Sequence, residues 1–356
     1  MLPLTVMYPD GGVIVRARQS REPIMVLPAQ SLDLHRTGAC TLAHMRAVWL
    51  KEFGGPEVLV AGDAPDPVPA AGQVLIEVAY ANITFVETQV RAGGGPFRVE
   101  LPMIPGNGVG GVISTVGEGV DRGLAGKRVV TSTGGSGAYA QRVVVAADAV
   151  FEVPDGLALD AAVAILADGR TATALVTAAR IKPGERVVVE AAAGGVGGLV
   201  VQLAKAAGAE VVGAAGGPAK TEHVRARGAD LAVDYREPDW AAKAGEVDVV
   251  FDGVGGEIGT TSFGLLRPGG RMLIFGLSSG VWTEVSEEDA AARGVTVIRQ
   301  FGGPAEMRAF TESALAEAAA GRLEPVIGQR FPLDRAADAH AVMQSRGTVG
   351  KTLLEV

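Results

Sequence analysis

Short apolar runs broken by glycine and proline recur along the first half of the chain, from residue 45 onward. At 74–78 apolar and polar positions alternate, which is typical of a strand with one buried face. Many short strands with turn residues between them predict a partly open β-barrel rather than a helical domain. The predicted strands lie at 45–48, 74–78, 112–113, 128–130 and 142–145, with a turn and strand at 53–59.

The second half of the chain alternates between helical and strand patterns. A helical pattern begins near residue 161 and is strongest at 171–180, and further helices are predicted at 304–320 and 336–345. Strands that alternate with helices form parallel sheets, so this region predicts a doubly wound sheet of six parallel strands. These strands are predicted at 187–189, 211–212, 231–233, 247–251, 271–275 and 296–298, and a last strand of the chain at 351–355.

Residues 187–199 contain the strongest local signal. A run of valines ends at small residues and glycines, and an alanine-rich helical segment follows. This order of strand, tight turn and helix N-terminus exposes backbone N–H groups to a pyrophosphate. Glycine-rich turns are common, but the surrounding βαβ pattern favours a dinucleotide site over a plain turn. The predicted contacts are Ala193, Gly194, Gly195, Val196 and Gly197.

Composition limits the class of protein. The chain has 356 residues, 48% of them hydrophobic, which is typical of a soluble protein of about two domains. A net charge of -8 argues against a nucleic-acid partner, and no run of Lys or Arg indicates a membrane surface. We expect no apolar stretch near the ~18 residues that span a bilayer. The single cysteine, Cys40, excludes a disulfide framework. Without a visible secretory signal, we expect a cytoplasmic protein.

Residues 1–44 differ from the rest of the chain. They contain four arginines and no lysine, and no helical or strand period persists among them. Their acidic residues and the lack of a continuous apolar core argue against a targeting peptide. We expect a disordered extension, translated from upstream of a better start at Met45; a regulatory arm is the alternative.

Seven short motifs resemble one enzyme family. In order and spacing, the chain from Met45 to its end resembles the quinone oxidoreductase (zeta-crystallin-like) branch of the zinc-independent medium-chain dehydrogenase/reductase superfamily. The resemblance implies an α/β protein. A GroES-like partly open β-barrel domain comprises 45–166 and 303–356, and an inserted doubly wound Rossmann NADP(H)-binding domain comprises 167–302. The motifs are FGGPEVL at 53–59, PG at 105–106, GAYA at 137–140, AAAGGVG at 191–197, DYRE at 234–237, FGLSSG at 275–280 and GTVGK at 347–351.

No metal site is expected. Zinc-dependent relatives use Cys and His ligands, but the only cysteine lies in the extension, and no pair of the four histidines has a ligand-like spacing within the barrel. Where those relatives carry Gly-His-Glu, this chain has Asn107 between two glycines. Without a Lewis acid to polarise an alcohol, reduction of a quinone or an activated C=C bond is the expected chemistry.

The end of the second Rossmann strand predicts the cofactor. An NAD site needs a carboxylate about 20 residues after the glycines, but 213–217 contains no acid and Lys220 follows. The resemblance places Tyr235 and Arg346 at the same pocket. Cationic and phenolic donors suit a 2′-phosphate, so we expect NADPH. The alternative for Lys220 is a solvated lysine at a helix start. By resemblance, further cofactor contacts are Gly216, Phe275, Gly276 and Ser278.

Helix 171–180 begins at a residue with two interpretations. The resemblance implies that Thr171 contacts the nicotinamide amide. Alternatively, Thr171 and Asp168 are residue types that start helices, so either one is a candidate N-cap. Both roles are compatible with one turn of chain.

The substrate side departs from the family pattern. Relatives carry an asparagine, a tyrosine and often a second tyrosine where this chain has Thr84, Gln89 and Gly95. Thr84 could hydrogen-bond a substrate carbonyl and Gln89 could orient one, or both could be packing residues. With no tyrosine, we expect the proton to come from solvent or a weak hydroxyl.

The resemblance and the cofactor residues together predict an NADPH-dependent reductase of quinones or α,β-unsaturated carbonyls. An enoyl-thioester reductase or a biosynthetic tailoring enzyme of the same fold is one alternative, and a non-catalytic NADPH-binding protein is another. The strand at 296–298 is apolar and expected at the sheet edge, where it predicts a homodimer. The remaining expected partner is a small-molecule substrate.

Overall fold

The computed structural model describes residues 44–95 and 98–356, so the predicted N-terminal extension lies outside the described residues apart from His44. The elements of the first half are β1 (His44–Leu50), β2 (Leu59–Pro65), β3 (Gln73–Ile83), α1 (Phe85–Arg91), β4 (Gly108–Val116), β5 (Arg128–Ser132), β6 (Arg142–Ala146) and β7 (Phe151–Glu152).

The remaining elements alternate between helix and strand before the chain returns to the barrel. They are α2 (Leu159–Ala179), β8 (Arg186–Val189), α3 (Gly195–Ala206), β9 (Glu210–Ala215), α4 (Pro218–Ala226), β10 (Leu231–Asp234), α5 (Trp240–Ala244), β11 (Val247–Asp252), α6 (Gly256–Gly264), β12 (Leu266–Ile274), α7 (Glu287–Ala292), β13 (Thr296–Ile298), α8 (Pro304–Ala319), β14 (Ile327–Pro332), α9 (Ala336–Gln344) and β15 (Lys351–Glu355).

A seven-stranded sheet forms the barrel, in the order β14-β15-β3-β4-β5-β7 with β6 paired to β3. The β14–β15 pair is parallel and the other pairs are antiparallel. Alternate residues of β3, Val74, Ile76 and Val78, are buried, as the alternating pattern predicts. The predicted β-rich barrel is confirmed. Because β15 pairs with β3, a strand near the C-terminus completes a sheet that begins far upstream.

A second sheet has six parallel strands in the order β10-β9-β8-β11-β12-β13. The predicted doubly wound sheet is therefore confirmed. From the centre of the sheet outward, the strands follow in the order β8, β9, β10 on one side and β11, β12, β13 on the other. Ligands of such sheets bind at the carboxyl ends of the strands where the order reverses. The glycine turn follows β8, so it lies at that reversal.

Helix α2 corrects one sequence expectation. Its 21 residues, Leu159–Ala179, are long and apolar enough to cross a membrane by length and composition, although no such stretch was expected. More than half of its most apolar window is buried in the protein. The helix packs against α3, α8 and the barrel strands β4 and β5. Its apolar composition therefore serves the core of the protein.

One apolar core crosses the predicted domain boundary. Val130 and Val153 of the barrel region belong to the same buried cluster as Val187 and Leu199 of the Rossmann region. A second cluster fills the barrel around Ile76. The division at residues 166 and 303 remains a prediction.

Candidate functional site

The glycine turn after β8 is closely packed at the start of α3, which is why it needs residues without side chains. A side chain at Gly197 would collide with the carbonyl of Ala191, and one at Gly195 would collide with the carboxylate of Asp168. Ala191 itself adopts a left-handed conformation with φ of 49°. Residues 193–197 thus lie together at a helix N-terminus, where N–H groups and the helix dipole favour an anion. Their contact with a dinucleotide remains a prediction.

Cationic side chains meet beyond the end of β9. The Lys220 ammonium donates a hydrogen bond to the backbone oxygen of Arg346 at 2.7 Å. The pKa of Lys220 is lowered, chiefly by burial and then by the positive charges of Arg346 and Arg236. Tyr235 lies against Gly216, since a Cβ there would be 3.2 Å from the phenol oxygen. Like charges held together in this way favour an anionic ligand between them.

Arg236 belongs to this cluster but was missed by sequence reasoning. Its guanidinium donates to the Asp234 carboxylate at 3.0 and 3.1 Å, and it lies close to Gly217. The hydrogen bond from Arg236 lowers the pKa of Asp234 to about 2. The available signal was its place after Tyr235 in a motif already recognised.

The loops after β11 and β12 run side by side at the same sheet edge. The backbone N–H groups of Phe275 and Gly276 donate to the oxygen of Asp252 at 3.0 and 3.2 Å. The Ser278 N–H donates to the oxygen of Gly253 at 3.3 Å. The structure therefore brings the three predicted loop contacts, Phe275, Gly276 and Ser278, to the sheet edge that also holds the glycine turn.

Two fully buried carboxyl groups underlie these loops. Glu190 accepts a hydrogen bond from the Ser262 hydroxyl at 2.6 Å, and Asp252 accepts from the Thr283 hydroxyl at 2.5 Å. The Val254 N–H donates to both carboxyl groups, at 3.2 and 3.1 Å. Burial, and then the neighbouring Asp252, raises the pKa of Glu190 well above its usual range. Glu190 is therefore expected to hold a proton more firmly than an ordinary glutamate. Sequence reasoning missed this pair, whose only signal was an acid directly after an apolar strand.

Thr171 lies inside α2, so the interpretation of Thr171 or Asp168 as a helix N-cap is wrong. The helix begins twelve residues earlier, at Leu159, and the Thr171 hydroxyl donates to the Ala167 oxygen at 2.8 Å. Packing against both sheets extends the helix beyond the segment with the strongest local pattern. Contact of Thr171 with a nicotinamide remains a prediction.

On the barrel side, Thr84 is the residue before α1. Its backbone N–H donates to the Glu87 carboxylate at 2.5 Å, and Glu87 also accepts from the Asn107 N–H at 2.7 Å. Burial raises the pKa of Glu87 despite these donors. Thr84 therefore has a structural role at the start of α1, which leaves a substrate role for its hydroxyl as a prediction.

Gln89 retains an unused acceptor. Its Oε1 is buried and finds no hydrogen-bond partner within 44–95 and 98–356. Gly95 has φ of 87°, a backbone conformation that is strained for residues other than glycine. A tyrosine at this position would require a different backbone conformation. The loop as it stands therefore suits glycine rather than the tyrosine of the relatives. Asn82 Oδ1, at the end of β3, is likewise buried without a partner in the described residues. Contact of Gln89 with a substrate remains a prediction.

A buried polar cluster lies behind α1. The Tyr139 hydroxyl and His340 Nε2 are 2.9 Å apart, and Arg91 donates to the Gln344 oxygen at 2.9 Å. Burial, and then Arg91, lowers the pKa of His340 to about 3, so this imidazole is neutral at ordinary pH. The cluster joins α1 to α9.

No group of three or more His, Cys, Asp or Glu side chains in the described part of the chain is arranged to hold a metal ion. At the position of the zinc relatives' histidine, the Asn107 side-chain oxygen accepts from the Gly135 N–H at 2.8 Å. Cys40 lies outside the described residues. The expectation of zinc-free chemistry remains a prediction from the residue types.

Known proteins match the chain over both halves. A family model described as alcohol dehydrogenase GroES-like domain matches residues 70–155, and one described as zinc-binding dehydrogenase matches 227–354. The human quinone oxidoreductase is 34% identical over 87% of this chain and 97% of its own length. A Pseudomonas aeruginosa quinone oxidoreductase is 32% identical over 85% of this chain and 97% of its own.

Solved structures agree with these relatives. The Escherichia coli quinone oxidoreductase, complexed with NADPH, superposes with a TM-score of 0.81 at 31% identity, over 87% of this chain and all of that chain. A mycobacterial protein complexed with NADPH gives 0.80 at 30% identity, over 88% of this chain and all of that one. With its barrel, its six-stranded parallel sheet and its glycine turn, the chain belongs to the quinone oxidoreductase branch of the medium-chain dehydrogenase/reductase superfamily.

Proposed function

We propose that this protein is an NADPH-dependent, zinc-independent reductase of quinones or α,β-unsaturated carbonyls. The observation that carries the proposal is the cationic cluster of Lys220, Arg236 and Arg346, which occupies the place where an NAD site needs a carboxylate. This cluster lies at the same edge of the parallel sheet as the glycine turn after β8. The NADPH bound to two solved relatives supports the same cofactor.

Each part of the site has an assigned task in this proposal. The N–H groups of 193–197 bind the diphosphate, and Lys220, Tyr235 and Arg346 bind the 2′-phosphate through charge-assisted donors. Thr171 and the loop at 275–278 orient the nicotinamide. When bound, NADPH supplies the hydride.

On the substrate side, Thr84 and Gln89 orient the carbonyl or quinone oxygen. Solvent or the Thr84 hydroxyl then protonates the developing enolate or hydroquinone oxygen. Through these residues the protein contributes orientation and electrostatic stabilisation rather than covalent chemistry.

In this proposal the buried amide oxygen of Gln89, which has no partner in the described residues, is satisfied by a substrate or a water. Turnover of a substrate distinguishes the enzyme from a non-catalytic NADPH-binding protein. An enoyl-thioester reductase is less favoured, since such relatives use a tyrosine where this chain has Gly95. We also propose a homodimer and a cytoplasmic location, in keeping with the expectations from the sequence.

The experiment is a substrate screen in which loss of absorbance from the reduced nicotinamide is followed with quinones, enones and enoyl thioesters. We expect turnover with quinones or enones that is faster with NADPH than with NADH and unchanged after prolonged EDTA treatment. Turnover of thioesters alone would favour the alternative enzyme. Binding of NADPH without turnover of any substrate would favour the non-catalytic alternative, and activity lost to EDTA and restored by zinc would refute the metal-free mechanism.

A further inference from the structure

A buried ion pair lies directly beneath the glycine turn. The Lys351 ammonium, from β15, is 2.8 Å from Oδ1 of Asp168 in α2, and the two side chains are only 5% and 10% exposed. The mechanism above uses neither residue. Both belong to elements outside the parallel sheet, yet they meet beside the glycine turn that follows β8.

The second carboxylate oxygen of Asp168 faces the first residue of α3. An added Cβ at Gly195 would overlap this Oδ2, so the oxygen is in van der Waals contact with the backbone that carries the anion-binding N–H groups. A negative charge is thus held beside the helix end that has to attract a diphosphate. By itself, such a charge would weaken the binding of an anion there.

Lys351 is attached to the same turn by its neighbour. The Gly350 N–H donates to the oxygen of Ala193 at 2.7 Å, and Gly350 forms a parallel β-bridge with Gly194. The ammonium is consequently fixed next to the turn. Glu87, a further acid of the barrel, also lies within the electrostatic reach of Lys351.

We propose that the Asp168–Lys351 pair sets the affinity of the glycine turn for the cofactor diphosphate, with Lys351 cancelling the charge that Asp168 places under α3. Both are positioning residues, and the inference rests on the proposed binding of NADPH. The pair gives a site that holds the diphosphate through neutral N–H groups and the helix dipole. The two charges therefore act on the affinity in opposite directions.

The experiment measures the dissociation constant for NADPH, by its fluorescence, for the wild type, Lys351→Met, Asp168→Asn and the double variant. Lys351→Met leaves the carboxylate uncompensated, and we expect binding about tenfold weaker or more, which corresponds to about 1.4 kcal/mol. Asp168→Asn leaves the ammonium uncompensated, and we expect binding as tight as the wild type or tighter, with a steeper loss on adding salt. The double variant should bind within about threefold of the wild type.

A second, half-buried ion pair supplies the control. Arg271 and Glu185, 2.6 Å apart and 15% and 17% exposed, lie at the opposite end of the strands. Arg271→Met and Glu185→Gln should lower the melting temperature without changing NADPH affinity.

Weaker binding by Lys351→Met together with unchanged or tighter binding by Asp168→Asn supports the proposal, whereas weakening by both, or no change by Lys351→Met, overturns it. If Lys351→Met fails to fold, Asp168→Asn decides alone, since weaker binding there refutes the charge argument. Failure of the wild type to bind NADPH would instead refute the proposed function.

Discussion

At the scale of single residues, the cofactor end of the site is defined by charge. Burial, and then the nearby charges of Arg346 and Arg236, lowers the pKa of Lys220. Arg236 is itself paired with Asp234. A protein tolerates such a cluster when an anion occupies it for part of the time. In the proposed function this anion is the 2′-phosphate of NADPH.

Lys220→Ala should weaken NADPH binding by about 1.5–3 kcal/mol, roughly tenfold to a hundredfold, because one charge-assisted contact is lost. NADH binding should change little. Titration of both cofactors against both proteins measures this difference. Lys205→Ala is the matched control, since that lysine pairs with Asp230, the residue before β10. Equal affinity of the wild type for NADPH and NADH would contradict the cofactor assignment.

Thr84→Val should raise the reaction barrier by no more than about one hydrogen bond, ~0.5–1.5 kcal/mol. The substitution removes the hydroxyl but keeps the backbone N–H that bonds Glu87 at 2.5 Å, so α1 should survive. Steady-state kinetics of the variant, with Thr84→Ser as control, gives the cost. A far larger loss in kcat would make the hydroxyl an essential proton donor.

Glu190→Gln should change how stability depends on pH. Because burial raises the pKa of Glu190, the folded protein keeps a proton that the unfolded chain loses above about pH 4.3. Stability contributed by this group is therefore present at low pH and lost as the pH rises toward the folded pKa. The variant does not titrate, so its free energy of unfolding should fall less than that of the wild type between about pH 5 and about pH 8.

Denaturant unfolding at the two pH values measures the effect. Glu185→Gln is the control, because the Arg271 hydrogen bond lowers the pKa of Glu185. Its contribution to stability is lost only as the pH falls below about 4.3, so this variant should keep the wild-type pH dependence between about pH 5 and about pH 8. An unchanged pH dependence in Glu190→Gln would show that Glu190 is ionised in the fold.

At the scale of elements, the site is assembled from ends of strands and starts of helices. The turns after β8, β9, β11 and β12 all lie at the carboxyl edge of one parallel sheet. The exception is α2, which contributes Asp168 and Thr171 from its middle. More than half of the most apolar window of α2 is buried in the protein, and in the proposed function the helix forms one wall of the site.

The edge of the same sheet makes a prediction about assembly. β13 ends the strand order, its Thr296 is exposed, and Val297 and Ile298 are half-buried. An open apolar edge favours pairing with a second copy about a two-fold axis. We expect a homodimer by light scattering at micromolar concentration and a shift toward monomer in Thr296→Lys. Thr260→Lys, at an exposed position of α6, is the control. A monomeric wild type would refute the interface.

At the scale of the whole molecule, the described cores close within residues 44–356. The barrel cluster and the clusters on both faces of the parallel sheet draw their residues from this region. Strand β1 pairs with β2 and bonds through Val48 to Tyr139, which ties the start of the described chain to the barrel.

Deletion of residues 1–44 should accordingly leave the fold and cofactor binding intact. The melting temperature and the dissociation constant for NADPH of the truncated protein, set beside those of the full chain, measure this. A large fall in melting temperature would show that the extension packs on the core.

Local patterns were sufficient for most of the elements. The valine runs and the glycine turn predicted the parallel strands and the anion-binding helix start, because period and turn chemistry are properties of neighbouring residues. The cofactor cluster was also largely visible, since Lys220 follows a strand end that lacks an acid. Helix α1 and strand β14 were missed, because a two-turn helix and a strand that contains Gln329 and Arg330 have weak patterns.

Tertiary structure alone decided what lies around the turn. Asp168 and Lys351 are 183 residues apart and meet only because β15 returns to the barrel beside α2. Glu190 and Asp252 meet as neighbouring buried carboxyl groups only because β8 and β11 are neighbours in the sheet. The sequence by itself determined the elements and the chemistry that each strand end offers. Which charges face each other across the core depends on strand order and burial, which no local pattern contains.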